Sequence, residues 1–498
     1  MRRWAALILM ISVLFSCACA ESTQKAPDYI LEGYDGDLTY RNWDTNLFFS
    51  RMQEKTGISF QFRQWGDYQQ WTDRKAEILE GKDLPDVLFK AELSSAETRD
   101  LYTNGLIIDL SPYLEEYAPN LWKLLEDHPE WKQAVSMPDG AIPALPCFNQ
   151  LQNNDAMWLN TDWLKKLKLE VPGNAEELTE VLRAFKTGDP NGNYKQDEVP
   201  LTFIGMWELR FLGHAFGMTD NDYYLSVSDG TVSSSLTSDQ NRSFLEWLHQ
   251  LWQEGLIDHK GFISADSMRQ ITDEKTVNPY GMLLSSSPLT VLTESSLKNF
   301  SLLEPLEYNG KRVYRDLLGD LVQGTFALTR SCANPEKLVA WVDYLYTQEG
   351  NRLAVYGQEG EEYTWNEDGF WEWTASLETV ANEYLPKRTI SEGGTAPGLT
   401  DTSFQLKYAD ESTRRSVEQL TALKQYCVIP FPQVILNADD EARIAEIQKE
   451  LSAWAEQSMA RFVTGDIELT DETWDEFCRT AGEKGLAEMI SLWQKYVK

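Results

Sequence analysis

The sequence predicts an α/β fold with a helical C-terminal end, and three observations predict it. Helix-like and strand-like segments alternate through the N-terminal part of the chain. Asp86-Val87-Leu88-Phe89 is a short apolar run of the kind found in strands buried on both faces. The C-terminal part carries helical periodicity.

The elements follow in order. Residues 44–56 predict a helix, with Leu47, Phe48 and Met52 apolar and Thr56-Gly57 closing it. Ile58-Ser59-Phe60-Gln61-Phe62 alternates as a half-buried strand, and a helix over 68–80 leads into the 86–89 strand. Pro335 to Gln348 predicts a helix with Pro near its start and a stripe of Leu338, Val339, Trp341, Val342 and Leu345. Residues 439–463 give the most regular stripe, Ile444, Ile447, Leu451, Trp454, Ser458 and Phe462, and two more helices fill 471–495. No internal repeat or low-complexity tract interrupts this pattern.

A length of 498 residues predicts two or three domains, or two large lobes. With 42% hydrophobic and 25% charged residues the chain has the means to build a core. Lys and Arg number 45 against 78 Asp and Glu, a formal charge of −33, which excludes nucleic acid as a partner and disfavours anionic lipid surfaces. Aromatic residues are abundant, with 18 Trp, 21 Tyr and 20 Phe. The four histidines, His128, His214, His249 and His259, have no phased partners and read as packing or surface residues.

Residues 1–20 read as an export signal: Arg2 and Arg3, an apolar run from Trp4 to Phe15, then Leu14-Phe15-Ser16-Cys17, a lipobox-like end at which Cys17 would be lipidated. The run is too short for a membrane span. Ala18-Cys19-Ala20 offers the alternative of cleavage to a soluble form starting at Glu21. Residues 21–27 read as a tether. Cys147, Cys332, Cys427 and Cys478 contain no C-x-x-C pair, which excludes a zinc site and leaves one long-range disulfide or buried free thiols as alternatives.

The sharpest local motif is Asp189-Pro190-Asn191-Gly192-Asn193-Tyr194-Lys195-Gln196-Asp197-Glu198. Oxygen side chains of Asp189, Asn191, Asn193 and Asp197 alternate as in a calcium loop, where a hard cation collects about six to eight oxygens, and Lys195 stands where a backbone carbonyl ligates. Tyr194 replaces the usual Gly and Pro200 the usual bidentate Glu, a role left to Glu198. A solvated Asn-Gly turn is the plainer alternative. Serine-hydrolase, zincin, P-loop and dinucleotide signatures are absent. Trp43, Trp65, Trp207 and Trp365 lie in polar, often Gly-containing segments and are candidate sugar-stacking residues, with core packing as the alternative for each.

Several stretches resemble the extracellular solute-binding proteins of family 1, the sugar-binding subunits of ABC importers. Gly81-Lys82-Asp83-Leu84-Pro85-Asp86-Val87 resembles that family's G-D-L-P-D-V segment, with Lys82 extra. Gly105-Leu106-Ile107-Ile108-Asp109-Leu110-Ser111-Pro112-Tyr113, Leu159-Asn160-Thr161-Asp162-Trp163-Leu164-Lys165-Lys166-Leu167 and Tyr356-Gly357-Gln358-Glu359-Gly360 follow in the family's order. The resemblance is greatest to the lipoprotein branch with alginate-oligosaccharide-binding members, and it implies bound Ca2+ on Asp189, Asn191, Asn193, Lys195, Asp197 and Glu198.

The resemblance further implies a two-lobed periplasmic-binding-protein fold with several interlobe crossings, expected near 146–152, 281–286 and 324–328. Lobe one is then expected at 28–147 plus 285–325, and lobe two at 148–284 plus 326–498. The implied function is capture of an oligosaccharide between the lobes and delivery to ABC permease subunits. The protein would be a monomer without catalytic residues, held by its lipid anchor on the outer face of the bacterial cell membrane. The competing expectations are an extracellular carbohydrate-active enzyme, and a lipoprotein of the same fold that binds a peptide or another metabolite.

Overall fold

The computed structural model describes residues 27–149, 155–263, 266–316, 321–400 and 402–497. The leader with Cys17 and nearly all of the tether lie outside them. Two sheets organise the chain. The strands of these two sheets, in chain order, are β1 (Tyr29–Tyr34), β2 (Phe60–Trp65), β3 (Val87–Phe89), β4 (Leu145–Asn149), β5 (Ala156–Asn160), β6 (Val199–Thr202), β7 (Tyr280–Ser285), β8 (Phe300–Leu302), β9 (Leu321–Leu328) and β10 (Gly398–Thr400).

The first sheet has the order β10-β4-β9-β3-β1-β2 and the second β8-β5-β7-β6. β1 runs parallel to β2 and β3, with Tyr34 opposite Trp65, whereas β9 is antiparallel to β3 and β4. In the second sheet β6 is parallel to β7, and β5 is antiparallel to β7 and β8. Helix-strand alternation therefore does produce the expected two-lobed α/β architecture.

Apolar patterning explains the layers. Helix Leu47–Thr56 buries Phe48, Phe49 and Met52 on the first sheet, and Asn46 caps it by accepting the Phe48 N–H at 2.9 Å. Helix Pro335–Asp343 adds Leu338, Val339, Trp341 and Val342 to the same core. The helix expected over 335–348 ends as an α-helix at Asp343, and a short 3-10 turn at Tyr344–Tyr346 leads to a further helix, Gln348–Val355. Helices Ala438–Thr464, Asp471–Glu483 and Leu486–Gln494 pack into the core of the second lobe.

The expected lobe boundaries are corrected in two places. Residues 280–302 do not cross: β7 and β8 both belong to the second sheet, and Tyr314 still packs in that lobe's core. β9 is not an exit to the second lobe but a central strand of the first, with Thr325, Phe326, Ala327 and Leu328 fully buried. A strand so buried needs a partner on each edge, which β3 and β4 supply. The passages between lobes thus fall between β4 and β5, between Asp316 and Leu321, and after β10. The four described cysteines lie two in each lobe, and no disulfide joins them. Among the described residues, no helix is long and apolar enough to cross a membrane.

Candidate functional site

In open α/β sheets, ligands bind outside the carboxyl ends of parallel strands. In the first lobe those ends are Tyr34, Trp65 and Phe89. The loop after β1 is nailed down by a buried hub: Asp35 pairs with the Lys90 ammonium and accepts the Trp43 indole N–H at 2.6 Å. Lys90 also donates to the Ile390 and Glu392 carbonyls at 3.1 and 2.6 Å. Burial pushes Asp35 up and Lys90 down, and each opposes the shift of the other by serving as its counterion.

A second hub lies beneath β2. Glu32, buried, accepts from Arg74 Nε at 2.7 Å, from Arg74 Nη2 at 3.2 Å and from the Trp65 indole at 3.0 Å. The polar edge of Trp65 is thereby tied into the lobe. Asp67 caps helix Tyr68–Leu79 through the Gln70 N–H at 2.9 Å, which places Tyr68 in its first turn, half exposed. Tyr68 meets Tyr34 edge to face at 5.4 Å. Gly66 between them must be Gly: a Cβ there would lie 2.8 Å from the Leu38 side chain and 2.9 Å from the Gly36 carbonyl. Leu38, whose side chain lies beside Gly66, is itself exposed, as is Tyr40 in the same loop.

In the second lobe β6 ends at Thr202, and Gly205, at φ +72°, turns the chain into the short helix Gly205–Leu209. Trp207 is 44% exposed on this helix, while the neighbouring Glu208 points inward and is 1% exposed. Glu208 is clasped by Arg269 at 2.8 and 2.9 Å and accepts the Ile204 N–H at 2.7 Å. Burial nevertheless pushes its carboxyl up to about 7. Nearby, Asp220 holds Arg210 at 3.1 Å and Arg315 at 3.5 Å, with Arg210 stacked 3.9 Å over Tyr224 and Arg315 3.9 Å over Phe211. Arg99 of the first lobe reaches across to the Leu436 carbonyl at 3.2 Å and pairs with Glu441 of the second.

The four candidate tryptophans separate. Trp65 and Trp207 sit at strand ends of opposite lobes. Trp43 is corrected: it is 1% exposed, packed against Phe49, Phe62 and Phe89 with its N–H spent on Asp35, so no sugar face can reach it. Trp365 lies in a separate hairpin, Tyr363–Trp365 with Trp371–Trp373, packed on Phe404, and is not at either strand-end surface. Sequence reasoning did not single out Tyr34 and Tyr68, which the structure places beside Trp65 at the same strand ends. Tyr34 and Tyr68 carry a readable signal, since each adjoins the end of a parallel strand.

The Asp189–Glu198 loop forms a tight turn. Asp189 accepts from Asn193 N and Tyr194 N, both at 3.1 Å, and Asn191 Oδ1 and Asn193 Oδ1 accept further loop amides. Asp197 accepts the Asn191 and Asn193 side-chain amides at 2.9–3.1 Å, which hold its carboxyl below the usual range. Among the described residues, no three His, Cys, Asp or Glu side chains converge as metal ligands. The donor chemistry still fits a hard cation: the Glu198 Oε1 atom is buried without a hydrogen-bond partner, and burial beside Asp189 and Asp197 raises its carboxyl.

The comparisons agree with this architecture. A family model described as bacterial extracellular solute-binding protein matches residues 39–248. The fructooligosaccharide ABC transporter substrate-binding protein FusA of Streptococcus pneumoniae is 27% identical, over 99% of this chain and 97% of its own length. Lipoprotein LipO of Bacillus subtilis is 21% identical, over 99% of this chain and 95% of its own. The structure of FusA in complex with kestose matches with TM-score 0.68 at 25% identity, covering 94% of this chain and 98% of that one. A second FusA structure is of an EF-hand mutant with fructo-nystose. Alginate-binding protein AlgQ2, solved without calcium ion, shares the fold at TM-score 0.60 and 19% identity, covering 94% of this chain and 97% of its own. By sequence and by fold, the chain is similar to the bacterial extracellular solute-binding proteins.

Proposed function

We propose that the protein captures a neutral oligosaccharide between its two lobes and hands it to the permease subunits of an ABC importer. The observation that carries this reading is the placement of Trp65 with Tyr68 in one lobe and Trp207 in the other, each at the carboxyl ends of strands. Flat aromatic faces with polar neighbours suit the C–H faces of sugar rings. Contacts to both lobes stabilise a closed form, so binding itself drives closure. Neutrality follows from charge: Lys90, Arg74, Arg210 and Arg269, in or beside the segments at the strand ends, are each paired with a buried carboxylate. A uronate chain would find no unspent countercharge among them. Fructooligosaccharides are the first class to try, given the 27% identical relative.

An enzymatic reading finds no support in Glu208, whose two oxygens are engaged by Arg269 and closed off from the surface. Asp189, Asn191, Asn193, Lys195, Asp197 and Glu198 would hold calcium in a structural role, away from any chemistry. The protein is exported, anchored through Cys17, and works as a monomer. Calorimetry and chromatography of the protein with gluco-, manno- and fructooligosaccharides test the function: heat of binding with an unchanged glycan profile is expected. A changed profile, or no binding to any series, would sink the proposal. Mass spectrometry of the mature N-terminus should find a diacylglyceryl group on Cys17, and a start at Glu21 would remove the anchor.

A further inference from the structure

Besides the chain passages, two arginine side chains join the lobes. The first is Arg99, buried on helix Ser95–Thr103 of the first lobe. It donates to the Leu436 carbonyl at 3.2 Å and pairs with Glu441, both of the second lobe. Beside it Ile435, 4% exposed, clusters with Met137 and Ala141 of the first lobe.

The segment that makes these contacts, residues 430–437, is a strap held at both ends. At its start the Pro430 carbonyl accepts the Val227 N–H at 2.8 Å, and Phe431 meets Trp493 edge to face at 5.0 Å. At its end Asn437 caps helix Ala438–Thr464 by accepting the Asp440 N–H at 2.9 Å. Pro430 and Pro432 fix φ within it. The strap is therefore fastened to the second lobe, while its tip is buried against the first.

The second arginine is Arg414, on helix Glu411–Leu423. That helix is fastened to β8 of the second lobe: Arg415 donates to the Phe300 carbonyl at 3.1 Å, and Gln419 accepts the Leu302 N–H at 2.9 Å. Arg414 donates to the Ala409 carbonyl at 2.8 Å and stacks 4.0 Å over Phe370, between the strands of the Tyr363–Trp373 hairpin. Buried Glu362 ties that hairpin to the first lobe through Arg51, at 3.0 Å.

The two contacts bracket the passages. The Ser95 hydroxyl donates to Gln323 of β9 at 2.5 Å, which puts the Arg99 contact beside β9, and the Arg414 contact follows β10. In the sheet order β10-β4-β9-β3, the strand ends that carry the passages run from one contact to the other. Releasing the strap would expose the apolar Ile435 cluster to water, whereas turning about it would not.

We propose that Arg99 with Ile435, and Arg414 with Phe370, are fixed pivots: the lobes turn about the line joining them, and neither contact is released in opening or closing. The inference rests on solute capture by lobe movement, and not on which solute is captured.

Amide exchange and small-angle scattering on the full chain test it. Fructo-, gluco- or manno-oligosaccharide at saturation should slow exchange around Trp65 and Trp207 and leave 95–103 and 430–437 unchanged. Arg99→Ala should speed exchange across 430–437 about tenfold or more and broaden the ligand-free scattering profile, with Arg99→Lys falling between. Arg414→Ala should act likewise over 406–410. Should Arg99→Ala fail to fold, Glu441→Gln removes the same ion pair from the other side. Slowing of 430–437 by about tenfold on ligand addition would show a contact that opens in the cycle, and would overturn the pivot. Wild-type exchange and scattering in the variants would overturn it as well. Failure of all three sugar series to bind would remove the oligosaccharide reading alone, and the ligand-free behaviour of the variants then decides the pivot.

Discussion

The Trp65 indole N–H donates to Glu32 Oε1 at 3.0 Å, on the same carboxylate that Arg74 grips through two nitrogens. A candidate sugar-stacking side chain is thus oriented by a buried ion pair. Removing one partner of such a pair leaves the other uncompensated, at a cost of about 3–5 kcal/mol. Glu32→Ala should lower stability by that order in urea unfolding, and Trp65→Phe should leave stability nearly unchanged. Equal midpoints for wild type and Glu32→Ala would contradict the role given to Glu32.

Trp43 and Trp207 should respond oppositely to truncation. Trp43→Ala empties a site packed on three phenylalanines and should destabilise by about 3–5 kcal/mol. Trp207→Ala removes a largely exposed ring, so the melting temperature should hold while oligosaccharide affinity falls by about 1–3 kcal/mol. Paired calorimetry and thermal unfolding separate the two effects.

Calcium removal should lower the melting temperature, because a ligand that binds only the native state stabilises it by mass action. Asp189→Ala should lower it too, and should abolish the response to chelator. Identical melting curves with and without chelator would leave the segment as a hydrogen-bonded Asn-Gly turn.

His214 predicts a loss of stability in mild acid. It accepts the Leu306 N–H at Nε2 (2.9 Å), and its Nδ1 lies 2.7 Å from the Phe211 carbonyl. Burial, helped by the charges of Arg315 and Arg312, lowers its pKa from 6.5 to about 4. Between those values the unfolded chain is protonated and the native chain is not, so the unfolded state binds the extra proton. The contribution of His214 is complete above pH 6.5, shrinks as pH falls toward about 4, and changes no further below that. His214→Gln should flatten this part of the stability-pH curve in urea titrations. An unchanged slope would place the acid sensitivity elsewhere.

How much was legible follows from which forces are local. Helices Leu47–Thr56 and Ala438–Thr464 were readable because their caps and apolar stripes lie within the segments themselves. The lobe to which β9 belongs was not, because nothing in Gly324-Thr325-Phe326-Ala327-Leu328 says which edges it will join, and strands far away in sequence decide that. The same holds for tryptophans. Trp43 and Trp65 sit in similarly polar surroundings in sequence, yet Asp35 draws one inward while Glu32 ties only the edge of the other. The Asp189–Glu198 loop was legible as a calcium-like pattern of oxygens, and the buried Glu198 oxygen could emerge only from the folded turn.

The thiols of Cys147 and Cys332 carry a practical consequence for how this fold forms. Burial pushes Cys147 to about 12 and Cys332 to about 11, far from the range in which a thiolate attacks. Exported proteins commonly depend on oxidoreductases to form and sort their cross-links. Here the native state contains no such bond among the described residues, and these two sulfurs are poorly reactive once folded. Formation of the fold described by these residues therefore needs no oxidant. Dithiothreitol should alter neither refolding yield nor unfolding midpoint, and the fold should serve equally well in oxygen-free surroundings.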